Sequence, residues 1–375
     1  MQSFKRPFYI IGHNPNTIEE AAAFLDKGAN GLEPDIVYAE GKYYVSHQPQ
    51  LSYEDTPTVQ EYLQDLKTLL RAHPYNLAMM IWDLKTTDFD PNEFMELVKE
   101  NFSGEHFDGV MMLMTHSDDH DFINQYKGNY PNVGVGVDES NVSPLELQQI
   151  FKAGGQKNIA YADGITTFLN KSGVSKNIME AQNCRNQYEP ESFGFIYTWV
   201  LSQEASLRKY LNTYIDGIMV DAGSVEKLAG LIATSPYNNS YVLAQMNYNP
   251  FSAAIIPKYI LEVRTANKAL AGTNADIVFT LTGATGRFLK SLPYNPGTPE
   301  ELERGTTTWI SIEGNDIGEI KSLTVQLLTG GPGSDWLPEM ISVTSKLLQN
   351  KVDFYFNTGE EWITKATGPV TKFLQ

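Results

Sequence analysis

The sequence predicts an α/β protein: a (β/α)8 barrel followed by an all-β sandwich. Three observations carry that reading. The chain has 375 residues, long enough for one large domain and one small one. From residue 8 to about 235, apolar strand-like runs alternate with amphipathic helix-like runs. From about 258 the helical period disappears, and strand-like runs are separated by Gly, Pro, Asn and Thr turns.

The elements follow in order. "FYIIGH" leads to "TIEEAAAFLDKG", where Thr17 with Glu20 predicts a capped helix start and Gly28 a stop. "GLEPDIVYA" and "KYYVSHQ" precede the helix "TVQEYLQDLKTLLRAH", and "LAMMIWDLK" precedes "PNEFMELVKENF". "GVMMLMTH" precedes a poorly patterned stretch, and "NVGVGVDE" precedes "SPLELQQIFKAGG". "NIAYADGI", "FGFIYTWVLS" and "DGIMVDA" each precede one more helical run. Eight strand candidates in about 230 residues suit a TIM barrel. Residues 241–257 read as a linker between a domain at 1–240 and one at 258–375. In the latter, "KYILEVRTA", "DIVFTLTG", "TTTWISIE", "IKSLTVQLL", "EMISVTS" and "KVDFYFN" are the strands.

Composition narrows the function. Apolar content of 42% and charged content of 19% are those of an ordinary globular chain. The net charge of −17, with no basic block, argues against nucleic acid as a partner and against adsorption to anionic lipid. It does not oppose a zwitterionic or cationic headgroup. No run of 18 apolar residues predicts a transmembrane segment. Cys184 is the only cysteine, so no intrachain disulfide forms. The opening "MQSFKRPFYIIGH" has no signal-like apolar stretch, which fits either a cytoplasmic chain or a secreted one whose leader is absent or removed.

Active sites of such barrels lie at the carboxyl ends of the strands. Polar residues fall there. Glu33 and Asp35, two apart in "GLEPDIVYA", share one face of a strand. Asp83 ends the next strand in "MMIWDLK". Three carboxylates from neighbouring strands make a hard oxygen site suited to Mg2+ or Ca2+. His13 ends the first strand and His47 follows the second. Two histidines flanking a metal-held phosphate are what displacement at phosphorus needs, one as base or nucleophile and the other as acid. Lys85 is placed to neutralise a phosphoryl oxygen. Each residue alone has an ordinary reading as a helix cap, a core histidine or an ion pair. The set together points to catalysis.

The stretch "YIIGHNPNTIEEAAAFLDKGANGLEPDIVYAEGKYYVSHQ" resembles the opening of the sphingomyelinase D family of phospholipases D, relatives of the glycerophosphodiester phosphodiesterases. "WDLK" resembles that family's Asp-Leu-Lys, "ADGIT" its Asp-Gly-Ile-Thr, and "YTW" its Tyr-x-Trp. The resemblance implies Mg2+ held by Glu33, Asp35 and Asp83, catalysis by His13, His47 and Lys85, and substrate contacts from Asp163, Tyr197 and Trp199. It implies a secreted enzyme acting on a phospholipid with a choline-type headgroup, and Tyr197 and Trp199 suit a quaternary ammonium by cation–π attraction. Only 35 residues separate His47 from Asp83, which leaves no room for the insertion domain of the glycerophosphodiester phosphodiesterases. Two rival readings are a phosphodiesterase for small soluble diesters and a non-catalytic lipid-binding protein.

"LAGTNADIV", "LERGTTTWI" and "GPGSDW" resemble a PLAT domain, a β-sandwich that docks lipases and lipoxygenases on membranes or partners. That resemblance implies peripheral contact with a membrane surface. It also implies a Ca2+ site at Thr273, Asn274 and Asp335, against which stands a purely turn-forming role. Trp336 and Leu337 are either membrane-inserting tips or sandwich core, with core the better fit.

Overall fold

A computed structural model describes residues 4–104, 107–128, 130–138, 142–164, 174–188, 192–252, 258–295, 301–356 and 361–374. The first domain contains β1 (Arg6–His13), α1 (Ile18–Asp26), β2 (Gly31–Glu33), β3 (Asp35–Ala39), β4 (Lys42–Val45), α2 (Val59–Ala72), β5 (Met79–Leu84) and α3 (Pro91–Asn101). It continues with β6 (Val110–His116), α4 (His120–Ile123), β7 (Val133–Asp138), α5 (Pro144–Ala153), β8 (Ile159–Gly164) and α6 (Lys176–Tyr188). β9 (Phe195–Trp199), α7 (Glu204–Leu211), β10 (Gly217–Val220), α8 (Val225–Ala233) and β11 (Tyr241–Leu243) complete it.

These strands close into a parallel barrel, with β1 paired to β10 on one side and to β2 on the other. The expected helices are present. Thr17 and Glu20 form the expected capping box, and Thr58 and Glu61 form a second one. α3 and α5 each open on a proline behind an Asp90 or Ser143 cap, which suits a position whose N–H would be orphaned anyway. The poorly patterned stretch after β6 holds a single 3-10 turn and the four-residue α4. "GLEPDIVYA" differs from the continuous strand expected. It is two strands, because Pro34 between them has no N–H for the ladder. β2 pairs with β1, β3 forms a hairpin with β4, and both pair with β5.

Alternation sorts the side chains. Tyr9, Ile11, Met79, Ile81, Met112, Met114, Ala160, Ala162, Phe195 and Tyr197 fill the barrel, while Ile10, Met80, Trp82, Leu113, Tyr161 and Ile196 pack under the helices. Part of the expected linker is seated in the barrel base. β11 adds to β1, and the Tyr9 hydroxyl donates to the Tyr248 carbonyl at 3.3 Å. The Phe251 ring lies 2.3 Å from where a Cβ on Gly134 would sit, so that inward position of β7 must be glycine for the ring to enter.

The second domain comprises β12 (Lys258–Thr265), β13 (Ile277–Gly283), β14 (Phe288–Lys290), β15 (Thr307–Glu313), β16 (Ile320–Leu327), β17 (Pro338–Ser345), β18 (Asn350–Tyr355) and β19 (Val370–Phe373). Among the described residues they form two antiparallel sheets, ordered β15-β12-β17-β18 and β14-β13-β16-β19. β14 and β19 were not anticipated; they are short edge strands with no fully buried residue, so their apolar alternation is weak. Trp336 and Leu337 are core: both are buried, and the Trp336 indole donates to Thr265 Oγ1 at 3.1 Å.

A buried ion network ties the sandwich to the barrel. Arg6, at the start of β1, pairs with Asp216 of the barrel and with Glu313 at the end of β15, Nε reaching Glu313 Oε2 at 2.7 Å. Asp216 also takes Arg185 of α6 and the Ile196 amide, the latter at 2.8 Å. Burial alone would push the Glu313 pKa up, but Arg6, with help from Lys258, overrides it and holds the carboxyl below its ordinary value.

Candidate active site

The break at Pro34 shapes the site. It leaves Glu33 as the last residue of β2, in register with His13, and Asp35 as the first of β3, in register with Asp83. The Asp83 amide donates to the Pro34 carbonyl at 3.1 Å and keeps that register across the break. All three carboxylates are buried, at 4%, 0% and 6% relative exposure. One oxygen from each lies within 4.8 Å of the others, and no other such group of three occurs among the described residues.

Electrostatics explains what this trio lacks. Burial first, then Asp83 and Asp35, pushes the Glu33 pKa well above the ordinary carboxylate value. Lys85 Nζ pairs with Asp83 and lies 2.9 Å from Asp35 Oδ1. Apart from that ammonium, the buried Asp35 Oδ1 has no hydrogen-bond donor. A single ammonium cannot neutralise three buried carboxylates, and uncompensated buried charge is costly. The donor set, all oxygen and all anionic, fits a hard divalent cation. Burial would lower the Lys85 pKa, but Asp83 and Asp35 raise it, so the lysine stays charged.

The histidines flank the trio differently. His13 is half-buried, and burial is the chief cause lowering its pKa, against the pull of Asp35. His47 stands in the open, its side chain 62% exposed, with Nδ1 3.3 Å from Asp35 Oδ2.

Two residues that sequence reasoning passed over hold these groups. Asn16 clamps Asp35 twice: its amide nitrogen donates to Oδ2 at 2.7 Å, and its oxygen accepts the Asp35 amide at 2.9 Å. Asn14 has a φ of 53°, a left-handed conformation that asparagine tolerates. Its backbone N–H lies 3.1 Å from Glu33 Oε2. With its side-chain nitrogen turned inward, Asn14 reaches His13 Nε2 at 3.0 Å and Asp35 Oδ2 at 3.1 Å. The loop is pinned by Tyr62 of α2, whose hydroxyl donates to the Pro15 carbonyl at 2.9 Å. The signal was "HNPN" itself, two short amides directly after a strand at the active end.

The remaining expected residues divide. Tyr197 and Trp199 point into the barrel mouth, Tyr197 buried and Trp199 half-buried. Asp163 does not join them. It shares the face of Tyr161, which packs under the helices, and it accepts a hydrogen bond from Ser175 at the start of α6. In the sandwich, the loops of Thr273, Asn274 and Asp335 meet, but the Thr273 hydroxyl is taken by the Ser334 carbonyl at 2.7 Å and the one carboxylate, Asp335, is exposed.

Residues 3–251 match the family model described as dermonecrotic toxin SPH, and residues 259–374 match the PLAT/LH2 domain. A dermonecrotic toxin of Loxosceles laeta is 26% identical over 284 residues, covering 65% of this chain and 98% of the toxin. One from Hemiscorpius lepturus is 24% identical, covering 68% of this chain and 86% of the toxin. Among solved structures, a glycerophosphodiester phosphodiesterase from Parabacteroides distasonis overlaps 62% of this chain and all of its own, with a TM-score of 0.46 and 16% identity. No helix among the described residues is long and apolar enough to cross a membrane. The chain therefore belongs to the dermonecrotic toxin SPH family, as a phosphodiesterase of the phospholipase D kind that carries a PLAT/LH2 domain behind its barrel.

Proposed function

We propose that this protein is a Mg2+-dependent phospholipase D that acts on choline-type lysophospholipids or sphingomyelin and releases the headgroup alcohol. The observation that carries the reading is the buried trio of Glu33, Asp35 and Asp83, three carboxylates against one ammonium, with His13 and His47 beside it. Mg2+ bound by these three carboxylates would supply charge neutralisation for the substrate phosphate. Lys85 holds Asp35 and Asp83 in place and brings a fixed positive charge to the phosphoryl oxygens. His13 and His47 exchange protons with the attacking and leaving oxygens from either side. His47, exposed and oriented by Asp35, can meet a group arriving from solvent. Attack by the substrate's own hydroxyl leaves a cyclic phosphate, and attack by water leaves a monoester.

Asn14 and Asn16 preorganise the trio, and such supporting bonds are typically worth ten- to a hundred-fold in metal affinity or activity. Asn16→Ala is expected to raise the Mg2+ concentration giving half-maximal rate by about that factor, with the melting temperature little changed. A metal titration of the rate checks it.

The relatives are named as toxins, which supports secretion, and the PLAT/LH2 domain supports peripheral contact with a lipid surface. Ca2+ at Thr273, Asn274 and Asp335 would find one carboxylate where the barrel offers three. The test of the function is choline release from lysophosphatidylcholine and sphingomyelin against release from glycerophosphocholine. Faster turnover of the lipids supports the proposal. Turnover of the soluble diester alone supports the glycerophosphodiesterase alternative.

A further inference from the structure

The trio of acids leaves a hard cation short of ligands. One oxygen from each of Glu33, Asp35 and Asp83 fills about half of the six positions that Mg2+ prefers. A further protein oxygen is at hand. β1 gives way to a left-handed turn at Asn14, φ 53°, and the Asn14 backbone N–H rests on the Glu33 carbonyl at 3.1 Å. The side chain reaches back to the acids. One amide atom of Asn14 lies 3.1 Å from Asp35 Oδ2, 3.3 Å from Glu33 Oε2 and 3.0 Å from His13 Nε2. Neighbouring oxygens around Mg2+, each about 2.1 Å from it and at right angles, are about 3.0 Å apart. That amide atom is therefore spaced from the two carboxylates much as one ligand is from the next. Asn16 is committed to another task, since its nitrogen and its oxygen both hold Asp35.

We propose that Asn14 is a fourth protein ligand to the divalent cation, binding it through Oδ1. The proposal rests on the metal-dependent reading above and adds a ligand to it. Which amide atom faces the acids depends on the cation. In metal-free protein the nitrogen turns inward and donates to the carboxylates, which only accept. With a cation among the acids, an N–H dipole aimed at it is repelled and a carbonyl oxygen is attracted, so the amide turns over. The other amide atom lies 3.4 Å from His47 Nδ1, a ring nitrogen that donates or accepts according to its tautomer, so both orientations are served on that side. A neutral fourth oxygen also strengthens the site without adding a fourth carboxylate to repel the other three.

Calorimetric titration of Mg2+ into the full-length metal-free protein compares the parent with Asn14→Gly, a substitution that tolerates the left-handed turn. The variant is expected to bind Mg2+ at least about ten-fold more weakly, the loss that even a bond supporting a ligand carries. Mn2+, which suits the same oxygen donors, then reads the contact itself. In protein made with asparagine carrying carbon-13 at Cγ, electron–nuclear double resonance should detect a carbon about 3 Å from Mn2+. That signal should be missing from Asn14→Gly. Equal Mg2+ affinity in the two proteins would overturn the proposal. A weaker variant whose parent shows no such carbon would overturn it too, because Asn14 would then only hold the acids in place. Should Asn14→Gly not fold, Asn14→Ala serves for the same comparisons. A parent that binds neither cation overturns the metal-dependent reading and this proposal with it, an outcome distinct from failure of the Asn14 contact alone.

Discussion

Glu33→Gln is expected to abolish turnover while leaving the fold intact. Loss of one of three anionic ligands removes several kcal/mol of charge stabilisation from the reacting phosphate, a rate loss of at least about a thousand-fold. Stability should move the other way. The folded protein holds the Glu33 pKa above its ordinary value through burial and the charges of Asp83 and Asp35. A carboxyl whose folded pKa is raised contributes stability at low pH and loses it as pH rises through that folded value. Metal-free protein should accordingly become less stable on going from acid to neutral pH, and Glu33→Gln should lack that decline. Melting temperatures in EDTA across pH 4–8, beside rates in Mg2+, check both halves. A variant that turns over normally, or that is much less stable than the parent without metal, contradicts the assignment.

Glu313→Ala is expected to cost about 3–5 kcal/mol of stability, because it leaves the Arg6 guanidinium buried without one of its two carboxylates. The effect should reach the barrel. Arg6 opens β1, and its other partner, Asp216, precedes β10, so the network spans the pairing of β1 with β10. The Glu313 pKa is held below the ordinary 4.5, so its contribution is present above that value and is lost as pH falls through the lowered one. Urea unfolding followed by one probe in each domain reads the result: a single cooperative transition in the parent, and a lower or split transition in Glu313→Ala. Unchanged unfolding in the variant would show that this ion network does not couple the two domains.

Much of this molecule was legible before its structure. The barrel strands are buried on both faces, so they stand out as continuous apolar runs between amphipathic ones, and Thr17 with Glu20 announced the first helix by its capping bonds. Alternation set Glu33 and Asp35 on one face, and a place late in a strand, with the family resemblance, pointed to Tyr197 and Trp199. The same criterion misleads for Asp163, which parity counted from Ala162 puts on the outward face. Pro34 hid the break in the second strand, since a strand of two pieces keeps the alternation of one. β14 and β19 gave no clear signal because strands of three and four residues with no fully buried position are too short to show a pattern. Asn14 and Asn16 act through amides whose targets, Glu33 and Asp35, lie 19 residues on. Arg6 and Glu313 lie 307 residues apart, and nothing local to either marks the other as its partner.

The central claim is that three buried acids and two histidines cleave a phosphodiester on the headgroup side. Phosphorus-31 NMR of sphingomyelin, lysophosphatidylcholine and their ethanolamine counterparts, incubated with the protein and Mg2+, reports bond and product together. The account predicts loss of the diester signal, appearance of a cyclic phosphate or monoester retained on the lipid, and no change when EDTA replaces Mg2+. A water-soluble phosphorylated headgroup as product, or the same conversion in EDTA, would contradict it.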